Sequence, residues 1–199
     1  NTTNNKSFFL DPDLGWYSGP QYFSSAKANF GLFLDSSPDR WGRLLMKRRE
    51  ALIARSENRK QKILHESDYL LGVFDGHRMG GLRFKKSEAG PFLNDNKDLA
   101  SPPWTSLKKL EYASLQIEKD DVVENPEYEN WLNLLVAPGS SLGGARPKAS
   151  VLDNKQRLWI AKFPSGSDEF DKGAWEIVAH DLAIQAGIRM SESRIMKFS

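Results

Sequence analysis

Apolar residues recur at helical spacing in several stretches of this chain. Trp41, Leu44, Leu45 and Leu52, with Arg48 among them, follow steps of three and four, which predicts a helix from about residue 38 to the middle 50s. Ser37-Pro38 ahead of it supplies a cap and a first-turn proline. Leu107, Leu110, Ala113 and Ile117 share one face of a second helix, capped by Thr105 or Ser106. Asn125-Pro126 opens a third, with Tyr128, Trp131, Leu132 and Leu135 facing inward and an end near Pro138-Gly139. Trp175, Val178, Leu182 and Ala186 mark a fourth, stopped by Gly187. A shorter helix through Tyr69-Leu70-Leu71 opens at Ser67 or the residue before it and ends at Gly72 and Asp75-Gly76.

Strand patterns are fewer. Lys148–Leu152 and Arg157–Lys162 flank Asp153-Asn154, the signal of a hairpin with a two-residue turn. Gly31–Leu34 reads as a short buried strand. Met79–Phe84 reads as a strand with a glycine bend, and Arg194–Phe198 as the opening of another. Residues 1–30 carry little periodicity, with turns at Asp11-Pro12-Asp13 and Ser18-Gly19-Pro20. Residues 56–64 form a polar loop, and residues 86–103, rich in Ser, Pro, Asn and Gly, a surface excursion. A boundary falls near residue 100, which divides the chain into 1–100 and 101–199. The fold class expected is α+β.

Composition narrows the classes. With 199 residues, 39% of them hydrophobic and 27% charged, the chain fits a soluble globular protein. No apolar run approaches the ~18 residues that cross a bilayer, so no membrane partner is expected. Cysteine is absent, which excludes disulfides, thiolate catalysis and Cys-type zinc sites and favours a reducing cytoplasm. The polar opening from Asn1 to Lys6 shows no signal-peptide pattern and looks like the start of a fragment. His65, His77 and His180 lack metal-ligand spacing, so no metal site is expected, and His180 reads as a half-buried helix residue.

Charge is uneven. Residues 40–62 hold nine Lys or Arg against Glu50 and Glu57, a local +7 in a chain of net +2. Such a segment meets phosphate or an acidic partner, or it is a solvated helix face. Asp39-Arg40 at the first helix start suits the helix dipole or a local ion pair.

The candidate chemistry lies between residues 139 and 176. Gly139-Ser140-Ser141-Leu142-Gly143-Gly144-Ala145-Arg146-Pro147-Lys148 is a flexible loop in which backbone N–H groups can approach an anion without a Cβ in the way. Lys162 lies on the second hairpin strand and Glu176 on the following helix. A kinase holds nucleotide phosphates with those parts in that order. Alone, the loop also fits a plain tight turn. Lys162 sits in sequence among Trp159, Ile160 and Phe163, where a charge needs a partner, and Glu176 is the candidate. No Gly-Lys-Ser/Thr occurs and a strand follows the loop, so it is not a Walker A loop. Phosphate on Ser140 or Ser141 would bring roughly −1.5 to −2 charge into the space of ATP phosphates and inhibit; equally, these serines are small turn residues.

These stretches carry a resemblance. Leu10–Leu14, Gly31–Arg43 with its Ser37-Pro38-Asp39-Arg40-Trp41-Gly42-Arg43, Asp68–Gly72, Pro138–Lys148, Trp159–Ser165 and Trp175-Glu176 resemble the HipA-type serine/threonine kinases of bacterial toxin–antitoxin modules. The resemblance implies a HipA-type N-terminal region over 1–100 and the start of a kinase-like domain over 101–199. It implies transfer of the ATP γ-phosphate, with Mg²⁺, to a protein serine or threonine. Aminoacyl-tRNA synthetases are in the implied substrate class, and the implied partner is a helix-turn-helix, HipB-like antitoxin that brings the toxin to DNA. By motif, Ser141, Leu142, Gly143, Gly144, Ala145 and Arg146 would cover the phosphates, Lys162 would bind them, Glu176 would hold Lys162, and Ser141 would be the autophosphorylated serine. The family's catalytic and metal-binding aspartates have no counterpart in 1–199, so no catalytic residue is assigned and this stretch alone is expected to be inactive. A free-standing partner-binding module and nucleic-acid binding through 40–62 are the competing readings.

Overall fold

The computed structural model describes residues 10–23, 26–94, 106–139 and 143–198. In chain order the elements are α1 (Gly31–Asp35), α2 (Arg40–Ser56), α3 (Glu66–Gly72), a 3-10 turn Asp75–His77, α4 (Leu107–Ile117), a 3-10 turn Asp120–Glu124, α5 (Tyr128–Gly139), β1 (Lys148–Leu152), β2 (Leu158–Lys162) and α6 (Lys172–Gln185). Helices and an antiparallel β1–β2 hairpin make an α+β fold, as the sequence pattern predicts. Among the described residues no helix is long and apolar enough to cross a membrane.

The core is a stack of α2, α4 and α5 on the hairpin. α4 buries Leu107, Leu110, Ala113 and Ile117, and α5 buries Tyr128, Leu132 and Leu135 together with Val136. Trp41 and Leu45 of α2, Ala149 and Val151 of β1, and Phe163 complete it. Each fully buried side chain of this kind contributes roughly 1.5–3 kcal/mol. That outweighs the weak intrinsic stability of helices this short. Trp131, expected inside, is only partly buried and meets Tyr112 edge-on at 5.8 Å.

Three expected strands are not strands. Gly31–Leu34 lies in α1, because Asp11 reaches in from far upstream. Its Oδ2 accepts the N–H of Leu32 at 2.6 Å, satisfying a first-turn amide, while the Phe30 carbonyl accepts from Phe33 and Leu34. Met79–Phe84 turns at Gly80, whose φ of +79° is left-handed, and Arg83 folds back to pair with Asp75. Arg194–Phe198 gains no strand partner among the described residues. Instead Arg194 lies over the Trp159 ring at 5.4 Å and Phe198 packs partly against the core.

Helix α2 starts two residues later than Ser37-Pro38 suggests. The Ser37 hydroxyl donates to the Phe33 carbonyl at 2.8 Å, closing α1 rather than capping α2. The basic stretch is laced with carboxylates. Arg43 makes a bidentate pair with Glu66 at 2.6 Å, Arg59 binds Glu50 and Glu57 at 2.6 Å, and Lys62 meets Asp68 at 2.5 Å. Arg59 beside Glu50 holds that carboxyl down at about 2. Glu66 and Asp68 of α3 thus offset part of the local +7, which already counts Glu50 and Glu57. Helix α6 forms as predicted, but Trp175, Val178 and Leu182 on it are exposed.

Candidate functional site

The site is built on the hairpin, and its turn decides its geometry. The turn is not the two-residue Asp153-Asn154 type expected. It runs from Asp153 to Arg157, with Gln156 at φ +60°. The Asp153 carboxylate accepts the N–H groups of Lys155 at 2.8 Å and Arg157 at 2.9 Å, Arg157 Nε at 2.7 Å and the Trp159 indole N–H at 3.0 Å. Burial opposes its charge, but these donors outweigh burial and hold the carboxyl below its ordinary range.

The register that results pairs Lys148 with Lys162, Ser150 with Ile160 and Leu152 with Leu158. Directly opposite residues share one face of a sheet. The two lysines therefore project to the same side, while Ala149 and Val151 face the core. A two-residue turn would have put Lys148 and Lys162 on opposite faces, because a slip of odd length flips a strand.

Lys162 Nζ donates to Glu176 Oε2 at 2.6 Å. Glu176 stands in the first turns of α6, whose start is fixed by Asp171 accepting the Ala174 N–H at 2.9 Å. The premise that Lys162 is surrounded by apolar side chains is corrected. Lys162 is 54% exposed, Ile160 on the same face is exposed, and Phe163 turns into the core. Strand alternation separates neighbours in sequence, so the pair is not forced by burial.

The buried cation is Lys148, which sequence reasoning passed over as a strand's first residue. It is 7% exposed, and its Nζ donates to the Gly143 carbonyl. Burial, reinforced by the nearby Lys162 charge, lowers its pKa below the ordinary lysine value. Its signal in sequence was the register, legible only once the turn length is known.

The described part of the glycine loop is tied down from two sides. Gly144 has φ +96°, a backbone conformation that favours glycine because side chains are strained there. Asp39 Oδ2 accepts the Gly144 N–H at 2.5 Å, and the Trp41 N–H donates to the Gly144 carbonyl at 3.2 Å. The Trp41 indole N–H donates to the Lys148 carbonyl at 2.9 Å in a buried bond. Asp39 occupies the N-cap of α2, where a negative charge suits the helix dipole, but its carboxylate makes no side-chain capping bond and accepts from the loop. Arg146 forms a bidentate pair with Asp168, which lowers the Asp168 carboxyl to about 2. Ala145 follows Gly144 in the bend that leads to β1, whereas Ser141 and Leu142 lie outside the described residues.

Beside the Lys162–Glu176 and Arg146–Asp168 pairs is a cavity of about 720 Å³. Its walls include Trp159, Phe163, Phe170 and Ile195. Of the remaining candidates, His180 is half-buried, with Nε2 at 2.8 Å from the Ser191 carbonyl. Among the described residues no group of three or more His, Asp or Glu is placed to hold a metal ion.

Loop, strand lysine and helix glutamate thus meet on one hairpin and the helix that follows it. The family model described as HipA-like C-terminal domain matches residues 140–199, the stretch that contains these parts. Over those residues the chain is similar to that family, in agreement with the likeness carried by the motifs that lie within 140–199. No curated protein and no solved structure matches the chain.

Proposed function

We propose that this chain provides the nucleotide-phosphate-binding part of a HipA-like protein serine/threonine kinase, with ATP as phosphoryl donor. The observation that supports it most is the 2.6 Å contact between Lys162 Nζ and Glu176 Oε2. A strand lysine steadied by a helix glutamate, next to a glycine loop, is how kinases position ATP phosphates. The residues suit a polyanion. Two lysines share the sheet face beneath the loop against the one carboxylate of Glu176, and a net positive face favours an anionic ligand. In this reading Lys162 contacts phosphate oxygens, Glu176 orients the amine, and the backbone of 143–146 covers the phosphates. Ser141 and Leu142 would extend that cover, and phosphate on Ser141 would compete for the same space. The toxin role, a protein substrate such as an aminoacyl-tRNA synthetase, a HipB-like antitoxin and a cytoplasmic location belong to the same proposal through the family likeness. Mg²⁺ is assigned no ligand in this chain.

Calorimetric titration with ATP and Mg²⁺ tests it. Lys162→Met is expected to weaken binding by roughly tenfold or more, since hydrogen bonds to charged groups contribute about 1.5–3 kcal/mol. Equal affinity of Lys162→Met and the parent protein would end the proposal.

A further inference from the structure

We infer that Asp39 is a positioning residue for the glycine loop: it fixes the Gly144 peptide so that the loop is ordered before a phosphate arrives. This rests on the phosphate-binding reading above and adds to it a contact between two segments far apart in sequence.

The observations are geometric. Asp39 is exposed and stands at the start of α2, yet its carboxylate makes no capping bond to its own helix and accepts the Gly144 N–H at 2.5 Å. Two residues on, Trp41 holds the next peptide unit of the same glycine, its N–H donating to the Gly144 carbonyl at 3.2 Å. The Trp41 indole then anchors Lys148 at 2.9 Å, where the loop enters β1. Three bonds from residues 39–41 thus hold both ends of the segment 144–148. Lys148 closes the arrangement from within by donating to the Gly143 carbonyl.

Such holding matters because of what the loop is made of. Glycine loses more conformational freedom on ordering than any other residue. A loop ordered only by its ligand subtracts that entropy from the affinity, whereas one ordered in advance does not. A carboxylate beside a phosphate site is electrostatically adverse, so its place there calls for a compensating gain, and the fixed Gly144 supplies one. The opposite role is also physically defined: a resident anion that a phosphate must displace. The second and third bonds argue against it, because an exchanging ion has no need of a backbone and an indole partner alongside it.

Asp39→Ala and Asp39→Asn separate the two. The amide oxygen of Asn still accepts the Gly144 N–H, while Ala cannot. ATP titration is expected to show roughly five- to tenfold weaker binding for Asp39→Ala and binding within about twofold of the parent for Asp39→Asn. Amide exchange at Gly144 is expected to quicken in Asp39→Ala and stay slow in Asp39→Asn. Tighter ATP binding in both variants identifies a competing anion and overturns the inference. Unchanged affinity and unchanged Gly144 exchange in Asp39→Ala overturn it as well. Lys162→Met is run alongside. If it leaves ATP binding intact, the phosphate reading falls, and Gly144 exchange still reports whether Asp39 holds the loop. If it weakens binding while Asp39→Ala does not, the phosphate reading stands and Asp39 has no positioning role.

Discussion

The indole N–H of Trp41 donates to the carbonyl of Lys148 at 2.9 Å, in a buried bond between residues 107 apart in the chain. It joins the two most distinctive motifs of this sequence, Ser37–Arg43 and Gly143–Lys148. Trp41 is 1% exposed and belongs to the core that also holds Leu45, Leu132 and Val151. The same side chain therefore packs the core and aligns the strand that carries Lys148.

Trp41→Phe keeps most of the packing and removes the donor. A buried carbonyl left without its partner costs about 1–3 kcal/mol. Urea unfolding is expected to show a loss in that range for Trp41→Phe, and about 3–5 kcal/mol for Trp41→Ala, where a cavity is added. An equal loss for the two variants would mean that the hydrogen bond contributes nothing.

Glu176→Gln tests the partner of Lys162. The amine keeps a hydrogen-bond acceptor but loses the opposite charge 2.6 Å away. ATP affinity is expected to fall, by less than in Lys162→Met, and the difference to shrink as salt rises. An effect of Glu176→Gln larger than that of Lys162→Met would show that Glu176 acts in some way other than through that amine.

Lys148 predicts an alkaline signature. Burial lowers its folded pKa below the ordinary 10.5. Between the two values the unfolded chain binds more protons than the folded one, so stability rises with pH across that window. Below the folded value both states are protonated and the burial penalty is fully present. Relative to Lys148→Met, the parent protein is therefore expected to gain stability as pH climbs toward 10.5. Parallel stability profiles for the two proteins would refute this.

Asp168 predicts the acid counterpart. Arg146 lowers its carboxyl from 3.8 to about 2. A depressed carboxyl contributes stability above its unfolded value and loses it as pH falls through the folded one. The parent is expected to lose stability relative to Asp168→Asn as pH drops from about 4 toward 2. Thermal melts across that range measure it, and a constant difference would contradict the pairing.

Asp153→Ala removes the acceptor for four donors in the hairpin turn. Melting temperature is expected to fall. Slowed exchange at the β1–β2 amides is expected to be lost if the register slips, which would take Lys148 away from Lys162. Retained protection in the present register would show that the turn does not set it.

Much of this was legible along the chain. The buried faces of α4 and α5 follow directly from Leu107, Leu110, Ala113 and Ile117 and from Tyr128, Leu132 and Leu135, because helical packing repeats every three to four residues. The order of glycine loop, strand lysine and helix glutamate was equally plain. Gly31–Leu34 shows where that legibility stops: an apolar run fits strand or helix, and Asp11, outside any local window, decides for helix.

Local spacing thus settled α2 to α6 and which residue types stand ready for an anion. Folding alone decided that Lys148 faces Lys162, that Asp39 spends its carboxylate on Gly144, and that Trp41 grips the entry to β1. The reason is physical: periodicity reports only neighbours a few positions away, whereas a side-chain donor or acceptor chooses among whatever the packed chain brings within about 3 Å.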